Sequence, residues 1–252
     1  MPYFEWKRYR LFYRQQGRGP LLVILPGNTA SSAHLQADLA YFSDRFQTVA
    51  LDFLGTGQSE RVAVWADRWW YQGALQTAAL IDHLGYKNAV LMGASGGAVA
   101  ALLTAIHFPR SVRAVVADSF VEQAPPEEFR LRVIADRAQR TPGQIEFWRA
   151  GHGGDWEQVV DADTAMLERF ADQGADWFQG QLDHIRCPVL LTASLRDPLI
   201  PGVAEQFCGM LEKIPDVRLY LHASGGHPLM WSEPDAFRAV SDYFLQNFLS
   251  GA

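Results

Sequence analysis

The stretch "VLMGASGGAVAALL" (residues 90–103) places a lone serine among glycines and alanines inside an apolar run. No residue from Ala89 to Phe108 is formally charged, a length that suffices for a membrane-spanning helix. The G-x-x-x-G spacing of Gly93 and Gly97 also fits helix pairing in lipid. The alternative interpretation is a buried strand, a tight turn that holds Ser95, and a helix. It explains the glycines, because a strained turn brings backbone segments so close that a Cβ would clash.

Composition favours the second interpretation. The 252 residues are 48% hydrophobic and 20% charged, which suits one large domain with a full core. A spanning helix would be the chain's only candidate and would begin at its β-branched, glycine-rich end. We therefore expect no membrane span.

Charge and cysteine content narrow the class further. The chain has 22 basic and 28 acidic residues, net −6, which predicts no nucleic-acid partner and no polybasic membrane patch. With only Cys187 and Cys208, no disulfide framework is expected, and a reducing compartment fits. Residues 1–17 lack the apolar region of a signal peptide. The expectation is a cytoplasmic protein whose oligomeric state the sequence leaves open.

Strand-like and helical patterns alternate along the chain. Residues 3–16 predict an antiparallel hairpin, and the runs typical of buried strands are 21–25, 46–52, 89–94, 112–118, 188–194 and 218–223. This order predicts an α/β fold: a mostly parallel central sheet with helices on both faces. Residues 122–182 contain no convincing strand but several helical patterns. We predict a core of residues 1–121 and 183–252 with a small helical cap inserted at 122–182.

In this context "GASGG" matches G-x-S-x-G between a strand and a helix, the setting of a nucleophile elbow. Ser95 would lie at the carboxyl edge of the sheet, above the N-terminus of the next helix. A serine nucleophile needs a base. Among seven histidines, His227 in "ASGGHPLMWSEP" follows the last strand and reaches the same edge.

Two aspartates are candidates for the acid that orients His227. Asp197 in "LRDPLIP" gives the chain order Ser, Asp, His and is favoured, while Asp118 after "RAVVAD" would also reach the carboxyl edge. The backbone N–H groups of Asn28, after the strand and turn "LLVILPG", and of Gly96 are the candidate oxyanion donors.

The chain resembles members of the α/β-hydrolase superfamily over nearly its full length, through "PGNTASS", "LDFLGTGQSE", "GASGG", "LRDPLIP" and "GGHPLMWSEP". The "DFLGTGQS" segment is similar to that family's D-x-x-G-x-G-x-S loop, which the resemblance implies is structural. Glu60 stands where a dinucleotide-binding G-x-G-x-x-G needs its third glycine, so that interpretation is excluded.

Two departures from the family pattern bear on activity. Pro26-Gly27 replaces the usual His-Gly before the oxyanion residue. The "GNTASS" loop resembles that of haloalkane dehalogenases, which, like epoxide hydrolases, use an aspartate at the elbow. Ser95 holds that position here, which argues against both activities.

The resemblance and the residues together predict a cofactor-free serine hydrolase that cleaves a small carboxylic ester through an acyl-enzyme. Cleavage of a carbon–carbon bond beside a ketone, as in meta-cleavage-product hydrolases, or of a lactone or thioester, is the alternative with the same triad. A non-catalytic ligand-binding protein on this fold is a third possibility. We expect no metal site, because no H-E-x-x-H or Cys/His cluster with ligand spacing is present.

Large apolar residues of the cap and of the loop after His227 are the candidate pocket: Trp148, Trp177, Met230 and Trp231. Trp156 and the segment 65–71 could contribute as well. The sequence also resembles biphenyl-hydrolase-like amino-acid ester hydrolases, in which an aspartate after the nucleophile holds the substrate's ammonium group. Gly96 occupies that position, so we expect neutral, apolar acyl groups of short to medium length rather than α-amino esters.

Overall fold

The computed structural model describes residues 2–200 and 202–249, so the outermost ends of the predicted core and residue 201 lie outside the described part. One eight-stranded sheet runs in the order β1-β2-β4-β3-β5-β6-β7-β8. The hairpin β1–β2 pairs antiparallel to β4, and the strands from β4 to β8 are parallel. The strands are β1 (Tyr3–Trp6), β2 (Tyr9–Gln16), β3 (Leu21–Leu25), β4 (Gln47–Leu51), β5 (Ala89–Ala94), β6 (Val112–Asp118), β7 (Val189–Ser194) and β8 (Val217–His222).

Helices cover both faces of the sheet. They are α1 (Gln36–Phe42), α2 (Trp69–His83), α3 (Gly96–His107), α4 (Pro126–Phe129), α5 (Ala135–Ala138), α6 (Pro142–His152), α7 (Trp156–Asp172), α8 (Val203–Leu211), α9 (Leu229–Ser232) and α10 (Pro234–Leu245), with one π-helical turn at Arg130–Ile134. The predicted α/β class, including the antiparallel hairpin, is confirmed.

The central strands are buried on both faces, as expected for a parallel sheet. Every residue of β3, β5 and β7 is buried. One apolar cluster joins the sheet to α2 and α3, and a second joins it to α1 and α10. Residues 89–108 therefore form a central strand and a buried helix. Among the described residues, no helix is long and apolar enough to cross a membrane.

Strand order determines where a ligand can bind. From β3 the chain moves to β4 on one side, and later returns to add β5 on the other. In open parallel sheets, such a switch point leaves a crevice at the carboxyl ends of the two strands. The loops that carry Asn28 and Ser95 follow β3 and β5, so the topology places both beside this crevice.

Between β6 and β7 the chain makes a long helical excursion. We call residues 122–182 the insert; it contains α4 to α7 and the π-helical turn. Apart from an isolated bridge between Gln123 and Asp176, it forms no strand pairing within the described residues. Apolar residues of the insert, including Phe129 and Phe170, join the same cluster as α2 and α3. The insert therefore packs on the core rather than standing apart from it.

Candidate active site

Ser95 lies in the sharp turn between β5 and α3. Its backbone has φ of 55° and ψ of −123°, a left-handed conformation that is strained for a residue with a side chain. Its neighbours must be glycine for the turn to fit. A Cβ on Gly97 would lie 2.1 Å from the carbonyl oxygen of Leu25, and one on Gly93 would lie 2.3 Å from the carbonyl carbon of Gly97. The turn thus presents the serine hydroxyl at the edge of the sheet.

His227 and Asp197 meet at the same edge, from the loops after β8 and β7. His227 Nδ1 lies 2.7 Å from Asp197 Oδ2, and the Asp197 side chain is fully buried. The other carboxylate oxygen accepts a hydrogen bond from the Leu199 N–H at 2.9 Å. With Nδ1 engaged by the carboxylate, His227 has Nε2 left for a second partner, and both His227 and Ser95 line one cavity.

Asp118, the other candidate acid, forms a hydrogen bond with the loop after His227. Its carboxylate accepts hydrogen bonds from the Thr192 hydroxyl at 2.7 Å and from the Met230 N–H at 2.9 Å. Complete burial raises the pKa of Asp118 to about 7. Its backbone carbonyl accepts the Ser95 N–H at 2.8 Å. Asp118 therefore joins the elbow to the histidine loop, and the contact with the imidazole belongs to Asp197.

Asn28 and Gly96 are neighbours in space. A Cβ on Gly96 would lie 1.9 Å from Asn28 Oδ1, so only glycine permits this approach. The backbone N–H groups of both residues donate to no acceptor in the described part of the chain. The Asn28 side chain is fixed from two sides: its amide oxygen accepts from Trp70 Nε1 at 2.9 Å, and its Nδ2 donates to Asp163 Oδ1 at 2.5 Å. Neither partner was predicted.

The cavity beside Ser95 has a volume of about 490 Å³ and a mostly aromatic and aliphatic lining. Trp148, Trp177 and Trp231 are among the lining residues, and Trp70 joins them from α2. The prediction for Met230 is wrong. Its side chain packs in the second apolar cluster, beneath the loop, because the single turn α9 directs it toward the core while Trp231 lines the cavity.

Charged side chains of the insert also line the cavity, which the sequence did not indicate. They come from α4, the π-helical turn and α5: Glu128, Arg132, Asp136 and Arg137. Arg137 Nη1 forms an ion pair with Asp163 Oδ2, and Asp163 is fully buried. Glu128 pairs with Arg132 at 3.1 Å. One wall of the cavity is therefore polar.

Comparison with known proteins identifies the family. The profile of the alpha/beta hydrolase family matches residues 22–240. The chain belongs to this family. It is 26% identical to the human serine hydrolase BPHL over 254 residues, which cover 94% of this chain and 83% of that protein. It is also 36% identical to 2-(acetamidomethylene)succinate hydrolase of Mesorhizobium japonicum, over 45% of this chain and 40% of that enzyme.

A solved structure gives the same fold. The enol-lactonase from Burkholderia xenovorans LB400 superimposes with a TM-score of 0.74 at 17% identity, covering 96% of this chain and 99% of that one. The hydrolases of these comparisons are named for different substrates, so the family establishes a hydrolase without defining the bond it cleaves. Within the described residues of this hydrolase, no group of three or more His, Cys, Asp and Glu side chains could hold a metal ion.

In this hydrolase the loop after β3 is fastened to the insert by two histidines. His152 Nδ1 accepts the Gly57 N–H at 2.9 Å, which leaves Nε2–H to donate to the Thr29 carbonyl at 2.9 Å. His34 Nδ1 accepts the Ser31 N–H at 3.1 Å, and its Nε2–H donates to the Phe147 carbonyl at 3.0 Å. Both bonding patterns require a neutral ring.

Burial favours the neutral form of each ring. It lowers the pKa of His34, and it lowers the pKa of His152 to about 4. The D-x-x-G-x-G-x-S loop supports the same region: Asp52 accepts the Ser32 N–H at 2.6 Å and the Gln58 N–H at 2.8 Å. The loop that carries Asn28 is thus held by buried polar contacts on both the core and the insert sides.

Proposed function

We propose that this hydrolase cleaves a small carboxylic ester through an acyl-enzyme formed on Ser95. The observation that carries the proposal is the His227–Asp197 pair, 2.7 Å apart, on the wall of the cavity that Ser95 also lines. A serine hydroxyl becomes a competent nucleophile only beside a base that a third group orients. The strained conformation of Ser95 supports the same assignment, because such strain concentrates at functional sites.

In the proposed reaction, His227 Nε2 accepts the Ser95 proton as Oγ attacks the carbonyl carbon. Asp197 holds the tautomer with a proton on Nδ1 and stabilises the imidazolium that forms. The N–H groups of Asn28 and Gly96 stabilise the oxyanion, aided by the N-terminus of α3. His227 then donates its proton to the leaving alkoxide. Water, activated by the same imidazole, releases the acyl group.

The insert would serve as the cap of this site. Its residues supply much of the lining, including Phe129, Trp148 and Trp177, and an apolar enclosure excludes water from the reacting groups. Exclusion of water strengthens the electrostatic contribution of the two oxyanion donors. A mostly apolar cavity also supports the expected preference for acyl groups of short to medium length.

Active-site labelling tests the proposal. A fluorophosphonate should modify Ser95, as located by peptide mass spectrometry, and Ser95→Ala should lower kcat for p-nitrophenyl butyrate by about 10⁴-fold or more with the fold intact. Circular dichroism of the variant is the control for folding. An adduct on another serine, together with full activity of the alanine variant, would exclude Ser95 as nucleophile.

Cleavage of a different acyl bond is a second candidate, because the proteins of similar sequence or fold include an enol-lactonase as well as a 2-(acetamidomethylene)succinate hydrolase. Lactones and thioesters would use the same attack and the same oxyanion donors. Assaying a lactone and a thioester beside the p-nitrophenyl ester distinguishes these bonds by their kcat/KM. Absence of turnover with all three, despite labelling at Ser95, would favour a ligand-binding role.

A further inference from the structure

Arg137 places a charged guanidinium in the cavity. An alkyl acyl group would have no hydrogen-bond acceptor for it. The Arg137 side chain is 13% exposed and lines the cavity from α5. Nη1 forms the ion pair with Asp163. Its Nε and Nη2 donate to no other residue in ranges 2–200 and 202–249, and only Nη1 is enclosed from solvent without a hydrogen bond. A guanidinium with two nitrogens free therefore lies on the charged wall of a mostly apolar cavity.

The position of the guanidinium is fixed relative to the reaction centre. Asp163 Oδ2 pairs with Arg137, and Asp163 Oδ1 accepts from Asn28 Nδ2 at 2.5 Å. One carboxylate and one side-chain amide thus separate the guanidinium from the proposed oxyanion donor. Because arginine presents its donors in a rigid planar fork, the ion pair also directs the free nitrogens.

Free donors in such a cavity favour a substrate that carries an acceptor. A buried polar group left unpaired is costly, and a site built to hydrogen-bond its substrate discriminates strongly against an analogue that lacks the bonding group. A purely alkyl acyl group would cover the free nitrogens of Arg137 without bonding them. An acyl group with a second oxygen would satisfy them.

The charges around Arg137 indicate what kind of acceptor fits. Asp163 already balances the guanidinium, Glu128 is paired with Arg132, and Asp136 has no cationic partner among the described residues. The three carboxylates outnumber the two guanidiniums, so a further anion would enter a wall that is already negative. A neutral oxygen adds no charge.

We propose that Arg137 is a specificity-determining residue that binds a neutral oxo or amide oxygen on the acyl part of the substrate. The hydrolase then prefers acyl groups with this second oxygen over alkyl groups of equal length. This inference rests on the proposed ester-hydrolase function and names its substrate class. It also refines the expectation of purely apolar acyl groups.

Matched pairs of p-nitrophenyl esters test it. The pairs are pentanoate with 4-oxopentanoate, hexanoate with 5-oxohexanoate, and heptanoate with 6-oxoheptanoate. Each kcat/KM is divided by the rate of hydroxide-catalysed hydrolysis of the same ester, which removes intrinsic differences in reactivity. In the wild-type enzyme, the normalised kcat/KM of at least one oxo ester should exceed that of its alkyl partner by about tenfold or more.

Substitutions assign the preference to one side chain. Arg137→Met should reduce the oxo-to-alkyl ratio to about one, since a thioether chain of similar length donates no hydrogen bond. Arg132→Met is the matched control and should keep the ratio, because Arg132 is engaged by Glu128 and the Pro198 carbonyl. Arg137→Met could fold poorly because it leaves Asp163 unpaired. In that case the double variant Arg137→Met/Asp163→Asn removes both charges, and its oxo-to-alkyl ratio should also be about one.

The outcomes separate this inference from the proposed function. Equal normalised rates within every wild-type pair, or a ratio that survives in the folded Arg137 variants, would overturn the role of Arg137 while leaving the ester hydrolase standing. A normalised kcat/KM for p-nitrophenyl hemiglutarate above that of every oxo ester would overturn the proposal that the acceptor is neutral. Absence of ester turnover and of labelling at Ser95 would instead remove the proposed function itself.

Discussion

Lowering the pH should destabilise this hydrolase through His152, and the size of the effect follows from its contacts. The folded ring is neutral, because it accepts the Gly57 N–H and donates to the Thr29 carbonyl. Its pKa is about 4 in the folded protein, against 6.5 in a model peptide. The unfolded chain therefore takes up a proton as the pH falls below 6.5, while the folded chain does so only near pH 4.

The sign and magnitude can be worked out from these two values. Well above pH 6.5 the ring is neutral in both states, and the contribution of His152 to stability is at its maximum. Between pH 6.5 and 4, protonation of the unfolded state alone lowers the free energy of unfolding. At pH 5 the loss attributable to His152 is about 2 kcal/mol, from the ratio of the two proton-binding polynomials. Below pH 4 both states are protonated and the loss levels off.

Urea unfolding at pH 7.5 and pH 5.0 measures this loss when wild type is compared with His152→Gln. On going from pH 7.5 to pH 5.0, the change in unfolding free energy should favour the folded state by about 2 kcal/mol more in the variant than in wild type. The comparison is needed because Asp118, whose pKa burial raises to about 7, contributes with the opposite sign. Equal pH dependence in the two proteins would refute the assignment of a buried neutral ring to His152.

Four further substitutions have defined outcomes. Asp197→Asn should lower kcat by about 10²–10⁴-fold through loss of the imidazole tautomer, and Asp118→Asn should lower it far less; the reverse ranking in folded variants would move the acid to Asp118. Asp163→Leu should lower kcat for an alkyl ester by about tenfold or more and leave KM little changed, because the Asn28 side chain loses its hydrogen bond to Asp163. An unchanged kcat would contradict this. Gly97→Ala should lower the unfolding free energy by about 3 kcal/mol, measured in urea, because its Cβ would overlap the β3 carbonyl; an unchanged midpoint would contradict it.

Local motifs made the placement of the candidate site's central residues predictable. Ser95 and His227 could be placed because a parallel sheet brings the ends of its strands to one edge, and each residue follows a strongly apolar strand. The glycines next to Ser95 carried the same information, since their spacing reflects close backbone contacts. Asp197 was favoured over Asp118 by chain order and by its Asp-Pro turn after a strand, because both residues lie at the carboxyl ends of apolar strands. The structure separates them by their hydrogen-bond partners.

The insert was predictable as helix but not as a source of polar contacts. Asp163 did leave a signal: it lies on the apolar face of α7, four residues after Val159 and three before Met166. An acid on a buried face needs a partner, but the sequence cannot say that the partners are Asn28 and Arg137, which lie on other elements. Such pairs depend on how the insert docks, and no local pattern records that.

The docking of the insert bears directly on the loop after β3, which carries the proposed oxyanion donor Asn28. Four residues of that loop contact the insert through hydrogen bonds: Asn28 with Asp163, Thr29 with His152, Ser31 with Gly151, and His34 with Phe147. The proposed nucleophile and its base are held differently, by loops that follow β5, β7 and β8 at the edge of the sheet. Displacing the insert would therefore disturb the proposed oxyanion donors more than the Asp197–His227 pair. Because those donors act only on charge that develops during reaction, seating of the insert would govern turnover more than it governs the geometry of the nucleophile.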